Sequence, residues 1–222
     1  MQTKEINQYL QKYLSPFFKQ HDFVLSGLGN LGYEVVKEIN RIKYRGVSNK
    51  FRKRQGIAFD AFSLTIKFEE VEEVLQEMAL KYELEQTSFT LRDYNDTDDV
   101  IMYRTKVIDV QIDNEADFAL HADAVMQYCN QVAFPFFNKY PDIESLNKWI
   151  KEIPEADLTY HISGEFQLKK MIVLKLCNDP EYENYAAYVK QKLESIKDLE
   201  DGKYMPVLNA YYELAERLKK EL

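Results

Sequence analysis

The chain has 222 residues, of which 45% are hydrophobic and 14% aromatic, so it can bury a sizeable core and is not a disordered protein. Seven glycines, six prolines and two cysteines exclude collagen-like, linker-rich and disulfide-stapled designs. No stretch approaches the roughly 20 apolar residues of a membrane span, and the polar start, Met1 to Glu5, is unlike a signal peptide. We therefore expect a cytoplasmic globular protein with no membrane partner.

The first part of the chain predicts a mixture of helices and strands. Apolar residues recur at steps of three and four from Lys4 to His21, which predicts a helix that Pro16 should kink or end early. Strict alternation from Phe62 to Phe68 predicts a half-buried strand. The other elements predicted here are strands over 23–25 and 33–42 and a helix over 69–82.

The rest of the chain becomes progressively helical. Alternation of Ile108, Val110 and Ile112 with polar residues predicts one more strand. A long helix is predicted from Glu115 until Pro135 ends it. The remaining predicted elements are a short helix starting at Asp142 and three amphipathic segments over 164–176, 180–196 and 204–222.

These elements together predict an α+β fold, in which an antiparallel sheet is covered by helices and a C-terminal three-helix extension follows. The predicted domains are an α+β domain over 1–154 and a helical extension over 155–222, packed on the first domain.

A basic strip stands out against the net charge of -8, which itself argues against non-specific binding to nucleic acid. Such a strip, interleaved with Tyr44 and Phe51, is typical of an anion site or a single-stranded nucleic-acid groove. The alternative, which we favour, is an exposed hairpin whose charges pair with the acidic remainder of the protein. The strip contains seven basic residues and no acid: Arg41, Lys43, Arg45, Lys50, Arg52, Lys53 and Arg54.

A glycine-rich segment satisfies the pattern G-x-G-x-x-G through Gly27, Gly29 and Gly32. Such glycines let a backbone approach a pyrophosphate when a strand precedes them, a helix follows and an acidic residue lies about 20 residues on. Lys50 to Arg54 occupy the region where that acid belongs. We therefore favour a plain turn between strands and keep cofactor binding as the alternative.

An acidic stretch, which includes Asp93, Asp96 and Asp98, has the composition of a calcium loop. An EF-hand that begins at Asp93 requires Gly at its sixth position and Glu at its twelfth, where this chain has Asp98 and Arg104. The sequence therefore predicts a solvated turn and no metal site.

Catalytic residues are equally hard to find. Cys129 and Cys177 lie among apolar neighbours in helical patterns, which predicts reduced core residues and not nucleophiles. The three histidines match neither a metal spacing nor a nucleophile signature, and His121 is expected at the edge of a core stripe. We predict no catalytic residue and no cofactor.

Two stretches carry a resemblance to a known group of proteins. They are FSLTIKFEEVEEV, over 62–74, and FPFFNKYPDIESL, over 134–146. Both resemble segments of bacterial proteins catalogued only as domains of unknown function, and the resemblance covers roughly residues 1–150. It implies a cytoplasmic α+β domain without an accepted activity, and it says nothing of the glycine-rich turn or the C-terminal helices.

The visible features favour a non-enzymatic, protein-binding module of the immunity or adaptor kind, because one polarised surface is present and no catalytic set is. Two alternatives stay open. One is a nucleic-acid or anion-binding protein that uses the basic strip, and the other is a nucleotide-dependent enzyme that uses the glycine-rich segment. The partner's identity and the oligomeric state stay open too.

Overall fold

The fold is α+β, with an open antiparallel sheet of six strands and with helices that include the predicted C-terminal ones. The computed structural model describes residues 2–53, 56–197, 199 and 202–221. Contacts divide the chain into two compact units, each assembled from two stretches. The first unit comprises Met1–Ile66 and Asp93–Lys139, and the second comprises Lys67–Arg92 and Tyr140–Leu222.

The elements are numbered in chain order. The strands are β1 (Val24–Gly27), β2 (Gly32–Ile39), β3 (Ile42–Lys53), β4 (Gly56–Phe59), β5 (Ser63–Phe68) and β6 (Leu91–Arg92). The helices are α1 (Thr3–Tyr9), α2 (Ser15–Gln20), α3 (Glu69–Lys81), α4 (Asp98–Asp109), α5 (Glu115–Tyr128), α6 (Phe134–Asn138), α7 (Ile143–Glu152), α8 (Glu155–His161), α9 (Phe166–Leu176), α10 (Tyr182–Ile196) and α11 (Met205–Glu221).

The sheet of the first unit follows the order β1-β2-β3-β5, with β4 paired to β3 off this path. The pairs β1–β2, β2–β3 and β3–β4 are antiparallel. The strand predicted over 33–42 is interrupted, because Asn40 and Arg41 adopt positive φ of 50° and 62° and turn the chain from β2 into β3. Asn tolerates this left-handed region better than most residues, so a tight turn is possible here with little strain at Asn40.

The two long helical stretches of the first unit accommodate prolines in the same way. A π-helical segment, Leu10–Leu14, joins α1 to α2 just before Pro16, and Cys129–Ala133 joins α5 to α6 just before Pro135. Proline lacks an N–H and clashes with the carbonyl one turn earlier, and the wider π turn relieves both problems. The long helix therefore passes Pro135, where an end was predicted, and stops at Asn138.

The strand predicted over 108–113 is wrong. Ile108 and Asp109 are the last residues of α4, and the residues at 110–113 follow it. Among these, Ile112 alone forms an isolated bridge, to Ile57. Asp98 and Asp99 stabilise the helix N-terminus, and Val100 and Val107, two turns apart on one face, are buried. The alternation read from the sequence was a local coincidence that this packing overrides.

The second unit is built around α9, which contacts α3, α7, α10 and α11. Leu168, Met171, Ile172 and Leu174 of α9 are fully buried. The helix predicted at Asp142 is confirmed: its carboxylate accepts a hydrogen bond from the Ser145 N–H at 2.8 Å. The three C-terminal helices and α3 are also confirmed, whereas α8 was not predicted. The domain boundary at residue 154 stays a prediction.

Candidate functional site

The basic strip lies on β3 and on the turn that precedes it, and part of it is neutralised. Arg41 occupies the exposed turn. The Lys43 ammonium lies 3.0 Å from a Glu38 carboxylate oxygen, and Arg45 Nε donates to Glu34 at 2.8 Å. Both partners belong to β2, so these two cations form cross-strand pairs of the kind expected on a solvated face.

Lys53 is also occupied. Its ammonium donates to the backbone carbonyl oxygen of Ile108 at 2.7 Å and lies 3.9 Å from the Asp109 carboxylate. Arg54 falls outside the described residues. The expectation that the strip balances acidic residues therefore holds for Lys43, Arg45 and Lys53.

Lys50 and Arg52 differ from the others. Within the described part of the chain, neither makes an ion pair or a side-chain hydrogen bond. Residues two apart on a strand project to the same face, so the two side chains point the same way. Together with Phe51 and Ile57 they line a groove of about 800 Å³ in the first unit. We call this the cationic groove.

The glycine-rich segment reaches the same groove. It is a turn between β1 and β2, closed by hydrogen bonds from the Leu28 N–H to the Gly32 carbonyl at 2.8 Å and from the Leu31 N–H to the Leu28 carbonyl at 3.1 Å. The Lys50 N–H donates to the Leu31 carbonyl at 2.8 Å, which fixes the turn beside β3. A strand, β2, follows the glycines where a dinucleotide loop needs a helix.

The glycines of this turn have structural reasons to be glycine. Gly32 has a φ of 140°, and a Cβ there would lie 2.0 Å from the Ser48 carbonyl oxygen. Gly29 also has a positive φ, 63°, but in open space. At Gly27 a Cβ would approach Asn7 Oδ1 to 2.5 Å. Backbone packing at Gly32, turn geometry at Gly29 and the Asn7 side chain beside Gly27 thus explain the pattern without a bound pyrophosphate.

Asn30 and Thr3 complete the wall of the cationic groove. The Thr3 hydroxyl donates to Asn30 Oδ1 at 2.5 Å, and both residues line the groove. The bond occupies the amide oxygen and leaves the amide nitrogen of Asn30 with its two hydrogens for another acceptor. Sequence reasoning flagged the two segments separately and missed Thr3, because nothing local signals that α1 begins beside the turn.

A second polar cluster lies in the second unit and is closed on itself. The buried ammonium of Lys169 lies 2.8 Å from a Glu72 carboxylate oxygen and donates to Thr87 Oγ1 at 2.8 Å and to the Phe89 carbonyl at 3.0 Å. Burial lowers the pKa of Lys169, and Glu72 opposes that shift. This cluster could not be predicted from the sequence, because Lys169 is followed by a second lysine in the same helix and nothing local distinguishes the two.

A cavity of about 370 Å³ adjoins this cluster and is lined by Thr87 and Ser163 among others. Ser163 Oγ accepts from the Lys169 ammonium at 3.2 Å and donates to the Phe89 carbonyl. Its proton is therefore already committed, and the paired ammonium is in no position to remove it. This arrangement stabilises the fold and does not activate a nucleophile.

The thiols and the buried histidine are unsuited to catalysis. Burial raises the pKa of Cys177 to about 11 and also raises that of Cys129, so both remain thiols at neutral pH. Burial lowers the pKa of His121 to about 3, and its Nε2 lies 3.0 Å from the Tyr33 hydroxyl. His121 is thus a neutral core residue and not at the edge of a core stripe.

The acidic stretch, expected to be a turn, is an irregular loop that Arg104 ties down, and it leads into α4 at Asp98. Arg104 donates to Asp93 at 3.0 Å and to Asp96 at 2.9 Å. In the described ranges, no cluster of three or more His, Cys, Asp or Glu side chains has the geometry to hold a metal ion. Over the same ranges, no helix is long and apolar enough to cross a membrane.

Comparison with known proteins adds no relative: the chain matches no family model, and no curated protein or solved structure is significantly similar to it. The candidate site therefore stands on its geometry, which brings the strip cations Lys50 and Arg52 to the same groove as the glycine-rich turn.

Proposed function

We propose that this protein is a non-enzymatic binding module and that its cationic groove holds an acidic segment of a partner protein. One observation carries the proposal. Lys43, Arg45 and Lys53 have intramolecular acceptors, whereas Lys50 and Arg52 have none among the described residues and share a groove. Two cations held on one face without counter-charges offer a binding site for an anion.

A short acidic peptide fits this groove better than a nucleic acid does. Proteins that bind nucleic acid through phosphates commonly neutralise about six to ten of them. Two available cations are too few for that, and the net charge of -8 repels a long polyanion. A short segment is affected less, since charges farther than about 8 Å are screened at physiological salt. The two free cysteines suit the reducing cytoplasm.

The proposal is tested with a fluorescein-labelled peptide of eight glutamates, and binding is followed by fluorescence anisotropy at low and physiological salt. We expect measurable affinity that falls as salt rises, mainly through a slower association rate. The double variant Lys50→Gln/Arg52→Gln should weaken binding at least fivefold.

The matched control is Lys43→Gln/Arg45→Gln, which removes the same charge from the same strand, where both cations are already paired outside the groove lining. It should bind nearly as the unaltered protein does. Equal losses in the two variants would show that net charge alone matters and would overturn the proposal. Tighter binding of an eight-nucleotide oligouridylate than of the peptide would favour the nucleic-acid alternative instead.

A further inference from the structure

The donors of the cationic groove exceed what a carboxylate needs. Arg52 brings five N–H donors and Lys50 three, and the Asn30 amide nitrogen adds two once Thr3 occupies its oxygen. A carboxylate presents two oxygens, whereas a phosphate monoester presents three terminal oxygens that accept strongly. The number of donors therefore suits a tetrahedral anion better than a planar one.

Charge supports the same ligand. Of the described residues that line the groove, none is acidic, and Lys50 and Arg52 contribute two positive charges. A phosphorylated side chain carries about -1.5 to -2 at pH 7, which matches them, while a single Glu or Asp leaves one cation unneutralised. The two cations lie two residues apart on a strand, about 7 Å along it, a gap that their long side chains can bridge to hold one anion.

The groove also has an apolar part, formed by Ile57, which pairs with Arg52 across β3 and β4 and so lies on the same face. An isolated inorganic phosphate makes no use of this side chain, whereas a peptide can place an apolar neighbour of its phosphorylated residue against it. This favours a phosphate that is attached to a peptide.

Resting on the proposed function, we infer that the cationic groove recognises a phosphorylated serine or threonine of the partner segment, held by Lys50, Arg52 and the amide nitrogen of Asn30. Binding is then switched on by phosphorylation of the partner.

The test uses nine-residue acidic peptides that differ only at the central position, which is phosphoserine, Glu or Ser, and a fourth Glu peptide with one extra acidic flank to match total charge. With the full-length protein, we expect the phosphoserine peptide to bind at least tenfold more tightly than either Glu peptide. Its affinity should rise from pH 5.5 to 7.5 as the phosphate becomes a dianion.

The variant Arg52→Lys keeps the charge and reduces the N–H donors from five to three, so it should reduce the preference for phosphoserine over Glu several-fold, and Asn30→Ala should reduce it less. Equal binding of phosphoserine and charge-matched Glu peptides would overturn this inference and leave the proposed function standing. Failure of all acidic peptides to bind would overturn both. If inorganic phosphate displaced the phosphopeptide at the phosphopeptide's own dissociation constant, the ligand would be free phosphate and the peptide inference would fail.

Discussion

The two units hold cations in opposite ways. In the second unit, Lys169 is 1% exposed and its ammonium has acceptors from Glu72, Thr87, Phe89 and Ser163. In the first unit, the Arg52 side chain is exposed and has no acceptor among the described residues. Lys169 is thus a committed cation, whose acceptors lie within the protein, and Arg52 is an available cation, which has no acceptor among the described residues.

This difference reflects the cost of removing a charge from water. A buried ammonium is tolerated only when its hydrogen-bond donors and its charge are satisfied, so the surrounding structure must supply the acceptors. An exposed guanidinium is satisfied by water and imposes no such requirement on its neighbours. The buried lysine, whose pKa burial lowers, therefore belongs to a structural network, whereas Lys50 and Arg52 on β3 form the proposed binding surface.

The largest expected effect comes from removing the buried cation. Lys169→Met leaves the Glu72 carboxylate buried without its counter-charge, which should lower the free energy of unfolding by about 3 to 5 kcal/mol. Urea denaturation of the variant and the unaltered protein measures it. The double variant Glu72→Met/Lys169→Met should cost clearly less than the sum of the two single changes. Additive costs would show that the two groups do not act as a pair.

Much of the fold could be predicted from the sequence. For the site, the sequence predicted the separate segments but not that they adjoin. The strand β5 and the helix α3 were found because alternation over 62–68 and helical spacing after it are local signals. The prediction of a strand over 108–113 was wrong because the burial of Val107 on α4 is decided by contacts with residues distant in sequence. For the same reason no pattern announced that Lys169 would be buried.

The cationic groove shows the same division. The turn at Gly27 to Gly32 and the basic strip were both recognised from composition and spacing. The turn and the strip are held side by side by the hydrogen bond from the Lys50 N–H to the Leu31 carbonyl. This bond joins residues too far apart in sequence for a local pattern to reveal it. Which cations stay unpaired depends on the register of β2 against β3, which places Glu34 and Glu38 beside Arg45 and Lys43.

His121, a buried side chain of the first unit, allows a comparison with buried Lys169 of the second unit. If burial decides how a titratable side chain affects stability, His121 should affect it although it lies in the first unit. Its pKa is lowered by burial to about 3, from an ordinary 6.5. Between these values the unfolded chain takes up a proton that the folded protein refuses, so stability falls as the pH falls. From pH 6.5 to 5.0 the contribution should be about 1.5 kcal/mol.

The measurement compares urea denaturation of the unaltered protein and of His121→Gln at several pH values. The variant is expected to be less stable at every pH because it disturbs the core contact with Tyr33, but the difference between the two proteins should shrink as the pH falls from 6.5 to 5.0. A constant difference would mean that His121 titrates equally in both states.

The smallest effect is expected at the exposed end of the comparison. Lys43→Gln/Arg45→Gln breaks two surface pairs and should lower the free energy of unfolding by at most about 1 kcal/mol for each pair. Lys50→Gln/Arg52→Gln breaks no pair among the described residues and removes two like charges from one face, so stability should stay the same or rise slightly. Thermal or urea denaturation at low salt compares the two variants most sensitively, because screening suppresses both effects. A loss for Lys50→Gln/Arg52→Gln as large as that for Lys169→Met would show that the fold depends on these cations after all, and the distinction between committed and available cations would not hold.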